Sequence, residues 1–150
     1  MDDFAHLLLG LVIFKALLLS GRKLGRLELA LALVGSVAPD IVWSSGIAGY
    51  GVAHTATYYL IFSLPFLLGS RMRNAAVCFA LAATAHILSD APIHIGTWTP
   101  FYPFSAIAIS GTQNYWEAPW IVVAYWLILL ALLALVLFAE KKKTGKIRFV

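Results

Sequence analysis

The chain has 150 residues, of which 61% are hydrophobic and only 12% are charged. Soluble domains contain about 45–50% apolar and about 25% charged residues, and a body of this size cannot bury so large an apolar excess. The composition therefore excludes an ordinary soluble domain and predicts an integral membrane protein. In such a protein the placement of positive charge is more informative than the net charge of +4, so we expect no nucleic-acid partner.

Five apolar segments approach the roughly 20 residues that a membrane-spanning helix needs. Asp2 and Asp3 stand where a signal peptide carries basic residues, so we expect the first segment to be retained. Pro39 interrupts the second, which we expect to stop short of the far interface. Pro119 suits the first turn of the last. The predicted fold class is all-α, a polytopic bundle of about five helices at residues 4–20, 27–43, 52–69, 75–93 and 119–139.

Basic residues follow the first, third and fifth segments only. Lys15, inside the first segment, is the exception, and we expect its ammonium group to extend toward the basic side. Under the positive-inside rule the alternate loops that carry them are cytoplasmic, so we expect the N-terminus outside and the C-terminus inside. The residues concerned are Arg22, Lys23, Arg26, Arg71, Arg73, Lys141, Lys142, Lys143, Lys146 and Arg148.

The chain divides into a single helical domain at residues 1–140 and a basic cytoplasmic tail at 141–150. Residues 94–118 contain Pro100 and Pro103 but no Lys or Arg, and we expect them to form an ordered outer cap. Cys78 is the sole cysteine. It excludes an intrachain disulfide and a cysteine-built metal site, and we expect it to pack in the core.

Ionisable side chains occur in the apolar segments where a bilayer does not favour them, and such residues are functional candidates. Counted from the basic boundaries at about 1.5 Å per residue, they lie about 20–26 Å away, in the outer third of the slab. Four helices thus deliver them to one depth, and His94 lies just beyond. The set inside the segments is His6, Asp40, His54, His86 and Asp90.

His86 and Asp90 are spaced i, i+4 and therefore share one helix face. The short turn between the second and third segments can bring Asp40 and His54 to them. Two histidines and two aspartates form a nitrogen and oxygen set that suits zinc, with manganese or iron as alternatives. His6 is available for a second ion bridged by a carboxylate, and His94 either completes a site or belongs to the cap.

The residues resemble a family of bacterial and archaeal inner-membrane, metal-dependent hydrolases. The matching pieces are His6 in AHLLLG, the helix end SVAPDI, the helix start AHTATYYL, and AHILSDAPIH followed by Pro100 and Pro103. The order of acidic and histidine residues also looks like that of zinc-dependent phospholipase C and single-strand nucleases. The resemblance implies one zinc on Asp40, His54, His86 and Asp90, and a second involving His6 with Asp90 as the bridge.

The chain also departs from the family pattern. Val42 stands where a second acid is usual, and Tyr50 and Gly51 replace a His-Arg pair. Ligands for a third metal are not apparent after Glu117, so we expect one or two ions. Asn114 and Tyr115, with Glu117, are expected to cover the site.

The interpretation that follows is a metal-dependent phosphoesterase at the outer membrane face, in which Asp40 orients or deprotonates the attacking water. Its partners would be membrane lipid and a phospholipid or other phosphoester substrate. Two alternatives remain at this point. One is a metal or proton transporter, in which buried acids and histidines form a relay. The other is a structural membrane subunit whose polar residues only join helices.

Overall fold

The apolar segments fold into helices in a computed structural model that describes residues 3–69, 72–94, 96–111 and 117–148. About 70% of the described residues are helical, which confirms the prediction of a mostly helical chain. The elements in chain order are α1 Asp3–Leu19, α2 Arg26–Ser44, α3 Tyr50–Ala53, α4 Ala56–Leu68, α5 Arg73–Asp90, β1 Gly96–Trp98, β2 Ile109–Gly111 and α6 Pro119–Thr144.

Two of these helices, α2 and α6, are long and apolar enough to cross a membrane, and α4 is a shorter apolar helix. On α6 the side chains of Trp120, Val123, Leu127 and Leu135 are each more than half exposed. Water disfavours such a surface, whereas lipid accommodates it. The second and fifth predicted segments therefore have the length and composition of membrane spans.

The helix α2 continues through Pro39 to Ser44, so the prediction of an interruption at Pro39 is wrong. A proline inside a helix removes one backbone hydrogen bond and costs about 3 kcal/mol, which packing against a neighbouring helix can offset. Here a Cβ atom at Gly35 would collide with the backbone of Phe79. The absence of that atom lets α2 and α5 pack backbone to backbone just before the proline.

The third predicted segment is split by a break between α3 and α4. His54 has φ −101° and ψ 35°, and Thr55 is extended. The hydroxyl of Thr55 donates to the carbonyl of Gly51 at 2.7 Å, and the N–H of Thr57 donates to the carbonyl of Pro100 at 3.3 Å. Because these bonds satisfy backbone groups at the break, His54 can leave the regular helix and face the bundle interior.

Small residues dominate the helix contacts, with α5 packed against α1, α2 and α4. A Cβ atom at Gly10 of α1 would lie 2.7 Å from the carbonyl oxygen of Ala32 on α2, so these two helices also approach closely. Cys78 is fully buried and contacts an apolar cluster that includes Phe14 and Leu18. Its position agrees with the predicted packing role.

The outer cap contains two short antiparallel strands that the sequence analysis did not predict, with Thr97 opposite Ser110. A Cβ atom at Gly111 would collide with the carbonyl oxygens of Ala91 and His94. The second strand therefore packs directly against the end of α5. The hairpin thereby holds the segment that carries His94. Asn114 and Tyr115, predicted to cover the site, lie outside the described residues.

At the opposite end of the bundle, Lys15 is 3% exposed and its Nζ atom lies 3.0 Å from Oε2 of Glu140. The side chain thus reaches toward the C-terminal basic segment and ends in a buried ion pair, which was not predicted. Helix α6 extends to Thr144, so the first residues of the predicted tail are helical.

Candidate metal centre

The six residues singled out from the sequence lie at one end of the bundle and come from several elements. His6 is in the first turns of α1, Asp40 is near the end of α2, and His54 lies in the break between α3 and α4. His86 and Asp90 occupy the last turns of α5, and His94 follows them. The structure therefore brings to one place residues up to 88 positions apart in the chain.

Four of them form a compact group of ligand atoms. One atom each from Asp40, His54, His86 and Asp90 lies within 4.8 Å of all the others. Oδ1 of Asp40 is 3.3 Å from Nε2 of His54 and 3.7 Å from Nε2 of His86. Oδ2 of Asp90 is 3.6 Å from the same His86 nitrogen.

The far ring nitrogens of two histidines are held by backbone carbonyl groups. Nδ1 of His86 lies 2.6 Å from the carbonyl oxygen of Ser36, and Nδ1 of His54 lies 3.1 Å from that of Tyr50. A carbonyl oxygen can only accept, so in each neutral ring Nδ1 carries the proton and Nε2 presents a lone pair. Both lone pairs therefore face the carboxylate oxygens of the group, as in histidines oriented for metal binding.

The nitrogen–oxygen separations in the group are longer than those of typical hydrogen bonds, and the shortest, 3.3 Å between His54 Nε2 and Asp40 Oδ1, is also within hydrogen-bond reach. An N–H···O bond is normally about 2.7–3.2 Å long, whereas these nitrogen and oxygen atoms are 3.3–3.7 Å apart. Two ligand atoms each about 2.0–2.1 Å from a tetrahedral zinc ion would be about 3.3–3.4 Å apart. The nitrogen–oxygen spacing of His54, His86, Asp40 and Asp90 therefore fits a divalent cation between them.

His6 is fully buried beside this group and stacks on His86, with ring centroids 3.7 Å apart and planes inclined by 27°. Its Nε2 atom is 3.6 Å from Oδ2 of Asp40 and 3.5 Å from Oδ1 of Asp90. Each carboxylate thus directs one oxygen toward His86 and the other toward His6. This arrangement allows either carboxylate to bridge two ions. It therefore does not distinguish Asp90, the bridge that the resemblance implies, from Asp40.

His94 joins the group through Asp90, with 3.3 Å between its Nε2 atom and Oδ2 of that carboxylate. Its side chain is 18% exposed, and that of Asp40 is 17% exposed, whereas those of His6, His54, His86 and Asp90 are at most 3% exposed. Asp40 and His94 are therefore the members of the group closest to solvent, and a substrate would meet them first.

Unsatisfied polar atoms provide a further test of whether a cation fits. Among the described residues, both ring nitrogens of His6, Oδ2 of Asp40 and Nε2 of His86 are buried without a hydrogen-bond partner. Buried polar atoms without partners are costly. Three of these atoms, Nε2 of His6, Oδ2 of Asp40 and Nε2 of His86, face the group, and cations contacting them would remove that cost, so the residues present fit a metal.

Three residues around the group were not predicted as part of the site. Ser36 contributes only its backbone carbonyl. Tyr50 stacks on His54, with centroids 3.9 Å apart and planes inclined by 9°, and its ring centroid is 4.6 Å from that of Trp98. No local motif in the sequence distinguishes aromatic residues such as Tyr50 and Trp98 beside a site from aromatic residues at a membrane interface. A small cleft between Tyr50, His54, Asp90 and Trp98 adjoins the group.

Comparison of the chain with protein-family models, with curated proteins and with solved structures finds no match. Its function is therefore inferred from the site itself.

Proposed function

We propose that the chain is a five-span integral membrane protein with the candidate metal centre near its outer face. Contacts between basic segments support this orientation. Arg22 donates to Asn74 at 3.0 Å, and Lys143 donates to the carbonyl of Leu19 at 2.8 Å. The basic segments after α1, at the start of α5 and at the end of α6 therefore meet at one end of the bundle, opposite the candidate metal centre. By the positive-inside rule that end is cytoplasmic, and the resemblance of the site residues to inner-membrane hydrolases favours a prokaryotic inner membrane.

Site-directed labelling tests the orientation, because Cys78 can be removed to give a cysteine-free background. In Cys78→Ala, a Ser45→Cys substitution lies in the outer turn and a Lys142→Cys substitution lies at the inner end of α6; both positions are exposed. A membrane-impermeant maleimide should label intact cells at position 45 and label position 142 only after lysis. The reverse pattern would contradict the orientation.

The function that the site supports best is metal-dependent hydrolysis of a phosphoester. The observation that carries it is the group of Asp40, His54, His86 and Asp90, whose nitrogen–oxygen spacing fits a zinc ion and whose histidine lone pairs face inward. His6 and the second carboxylate oxygens would hold a second ion. Zinc suits this mixture of nitrogen and oxygen ligands, with manganese or iron as alternatives.

A bound divalent cation supplies a nucleophilic water at neutral pH and stabilises negative charge on phosphoryl oxygens. The protein then has three tasks. His86 and His54 keep Nε2 available because their Nδ1 protons are donated to backbone carbonyls. Asp40, the more accessible carboxylate of the group, would orient the attacking water and accept its proton. The hairpin restricts water entry above His94.

The substrate class follows from the location of the site. A centre near the outer ends of apolar helices is reached from the extracytoplasmic surface or laterally from the bilayer, so a phospholipid or another phosphoester at that interface is the proposed substrate. Lys and Arg side chains are absent from the described surroundings of Asp40 and Asp90, whose ion pairs with described residues are all with histidines. Substrate phosphate would accordingly be held by the metal.

The decisive experiment is elemental analysis of the full chain, purified in detergent without a polyhistidine tag. The wild type should contain one or two zinc equivalents, and His86→Ala and Asp90→Asn should lose them. Asp3→Asn is the matched control, since Asp3 is exposed at the start of α1. Hydrolysis of a chromogenic phosphodiester and of phospholipid should follow metal content and be restored by zinc after chelation.

Other outcomes identify the alternatives. Wild-type protein without bound metal would refute the metal centre and leave a structural subunit. Bound metal without hydrolysis of any phosphoester, combined with metal uptake into sealed vesicles that Asp90→Asn abolishes, would identify a transporter.

A further inference from the structure

A second feature lies at the opposite end of the bundle, away from the candidate metal centre. Helices α1, α2 and α6 enclose a groove of about 410 Å³ whose walls are Leu11, Phe14, Leu29, Leu133 and Leu137. The volume is within the range of about 300–1,000 Å³ that is typical of ligand sites. The walls are aliphatic and aromatic throughout, so the part of a ligand that lies along them is a hydrocarbon chain.

The rim of this groove is basic. Lys15, Arg26 and Arg148 line it together with the apolar walls. The only acidic side chain in contact with these cations among the described residues is Glu140, which lies 3.0 Å from both Lys15 Nζ and Arg148 Nε. Arg26 and the exposed part of Arg148 present positive charge at the rim, so the rim favours an anion.

Glu140 also fixes the geometry of the rim. Its side chain is 1% exposed, and its Oε1 atom accepts from both the backbone N–H and Nε of Arg148, at 3.3 and 3.0 Å. Lys15 donates to the carbonyl of Arg148. The C-terminal segment is thereby held against α1, and the guanidinium of Arg148, whose side chain is 40% exposed, is positioned beside the groove. Arg26 is exposed at the first turn of α2.

We propose that this groove binds an anionic phospholipid of the cytoplasmic leaflet, with an acyl chain against the leucine walls and the headgroup phosphate between Arg26 and Arg148. Guanidinium groups bind phosphate through paired, charge-assisted hydrogen bonds. A soluble anion would leave the apolar walls uncovered, and a neutral lipid would not use the excess positive charge. The inference depends on the membrane placement proposed above but not on the metal centre or on hydrolysis.

The test is lipid binding to the full chain, freed of native lipid in detergent and titrated with phosphatidylglycerol or phosphatidylcholine under native mass spectrometry. Wild type should prefer phosphatidylglycerol. Arg26→Gln with Arg148→Gln should weaken that binding about tenfold or more, whereas Lys23→Gln with Lys146→Gln should change it less than about twofold. The control pair removes the same charge from exposed positions that do not line the groove.

A second pair tests the apolar walls at constant charge. Leu137→Trp fills the groove and should weaken phosphatidylglycerol binding, while Leu135→Trp, at a position 65% exposed on the outer face of α6, should not. If the double variant fails to fold, Arg26→Gln alone provides the test, because it leaves the contacts of Glu140 with Lys15 and Arg148 intact.

Equal loss in both charge pairs, or no preference for phosphatidylglycerol in the wild type, would overturn the proposal. Zinc measured on the same samples should be unchanged in all groove variants. Failure of the metal centre and failure of the lipid site are therefore separate results.

Discussion

His6 and His86 stack face to face at the centre of the outer site, and the same two carboxylates approach both rings. His86 has its second nitrogen fixed by the carbonyl of Ser36, whereas Nδ1 of His6 has no hydrogen-bond partner among the described residues. His86 is therefore held rigidly by the backbone, and His6 is held by stacking. The two histidines should contribute unequally to metal binding.

We predict that His6→Ala retains the ion held by Asp40, His54, His86 and Asp90 and loses only a second ion. The physical reason is that His6 is outside the group whose ligand atoms lie within 4.8 Å of one another. His86→Ala should lose all bound zinc. Elemental analysis and zinc titration measure both variants, and complete loss of metal in His6→Ala would contradict the division between them.

We predict that Tyr50→Ala weakens zinc binding about 10- to 100-fold, the usual effect of removing a group that orients a ligand. The tyrosine ring stacks on His54 with planes inclined by only 9°, and its loss frees the imidazole to rotate. Tyr50→Phe should bind zinc as the wild type does. Tyr58→Ala, at a site 43% exposed, is the matched control, and an equal loss there would indicate a general effect on stability.

We predict that Gly111→Ala lowers the free energy of unfolding by about 1–3 kcal/mol, as overpacking does. The new Cβ atom would collide with the carbonyl oxygens of Ala91 and His94, so the hairpin must move away from α5. Thermal unfolding in detergent measures the change. Gly49→Ala has no atom within 4 Å of the added carbon and should unfold within about 0.5 kcal/mol of wild type.

We predict that Lys15→Met lowers the free energy of unfolding by about 1.5–3 kcal/mol, because the buried carboxylate of Glu140 loses one charged partner and keeps Arg148. The double variant Lys15→Met with Glu140→Met should regain much of this loss, since a buried ion pair is replaced by apolar groups. Lys142→Met, at an exposed position, should unfold like the wild type. Additive losses in the double variant would show that the pair is not coupled.

The site residues could be predicted because the depth of a residue in the membrane can be estimated by counting residues along its helix from the basic boundary. His86 and Asp90 share a face through their i, i+4 spacing, and the distance of Asp40 from the basic boundary gives the same depth as theirs. The structure places these three residues in one group. Counting along the sequence could not predict which groups bind the Nδ1 atoms of the histidines. Every residue has a backbone carbonyl, so the residue type does not show that Ser36 binds His86.

The breaks in regular structure were harder to predict. Pro39 indicated a helix end on local grounds, but Gly35 allows a close approach to α5 that local rules do not include. The apolar residues from Val52 onward predicted one continuous helix, so the break at His54 was missed. Hydrogen bonds made by the Thr55 hydroxyl and by the carbonyl of the distant Pro100 satisfy backbone groups on either side of the break. The ion pair of Lys15 joins residues 125 positions apart, beyond the reach of any spacing rule.

The contact between Lys15 and Glu140 also has a consequence for the order in which the bundle is assembled. Lys15 lies on α1 and Glu140 lies near the end of α6, so the ribosome makes the lysine 125 residues before its partner. A lysine inside an apolar helix is costly in lipid until it is paired. In the membrane placement proposed above, α1 therefore completes its packing only after the end of α6 has been made.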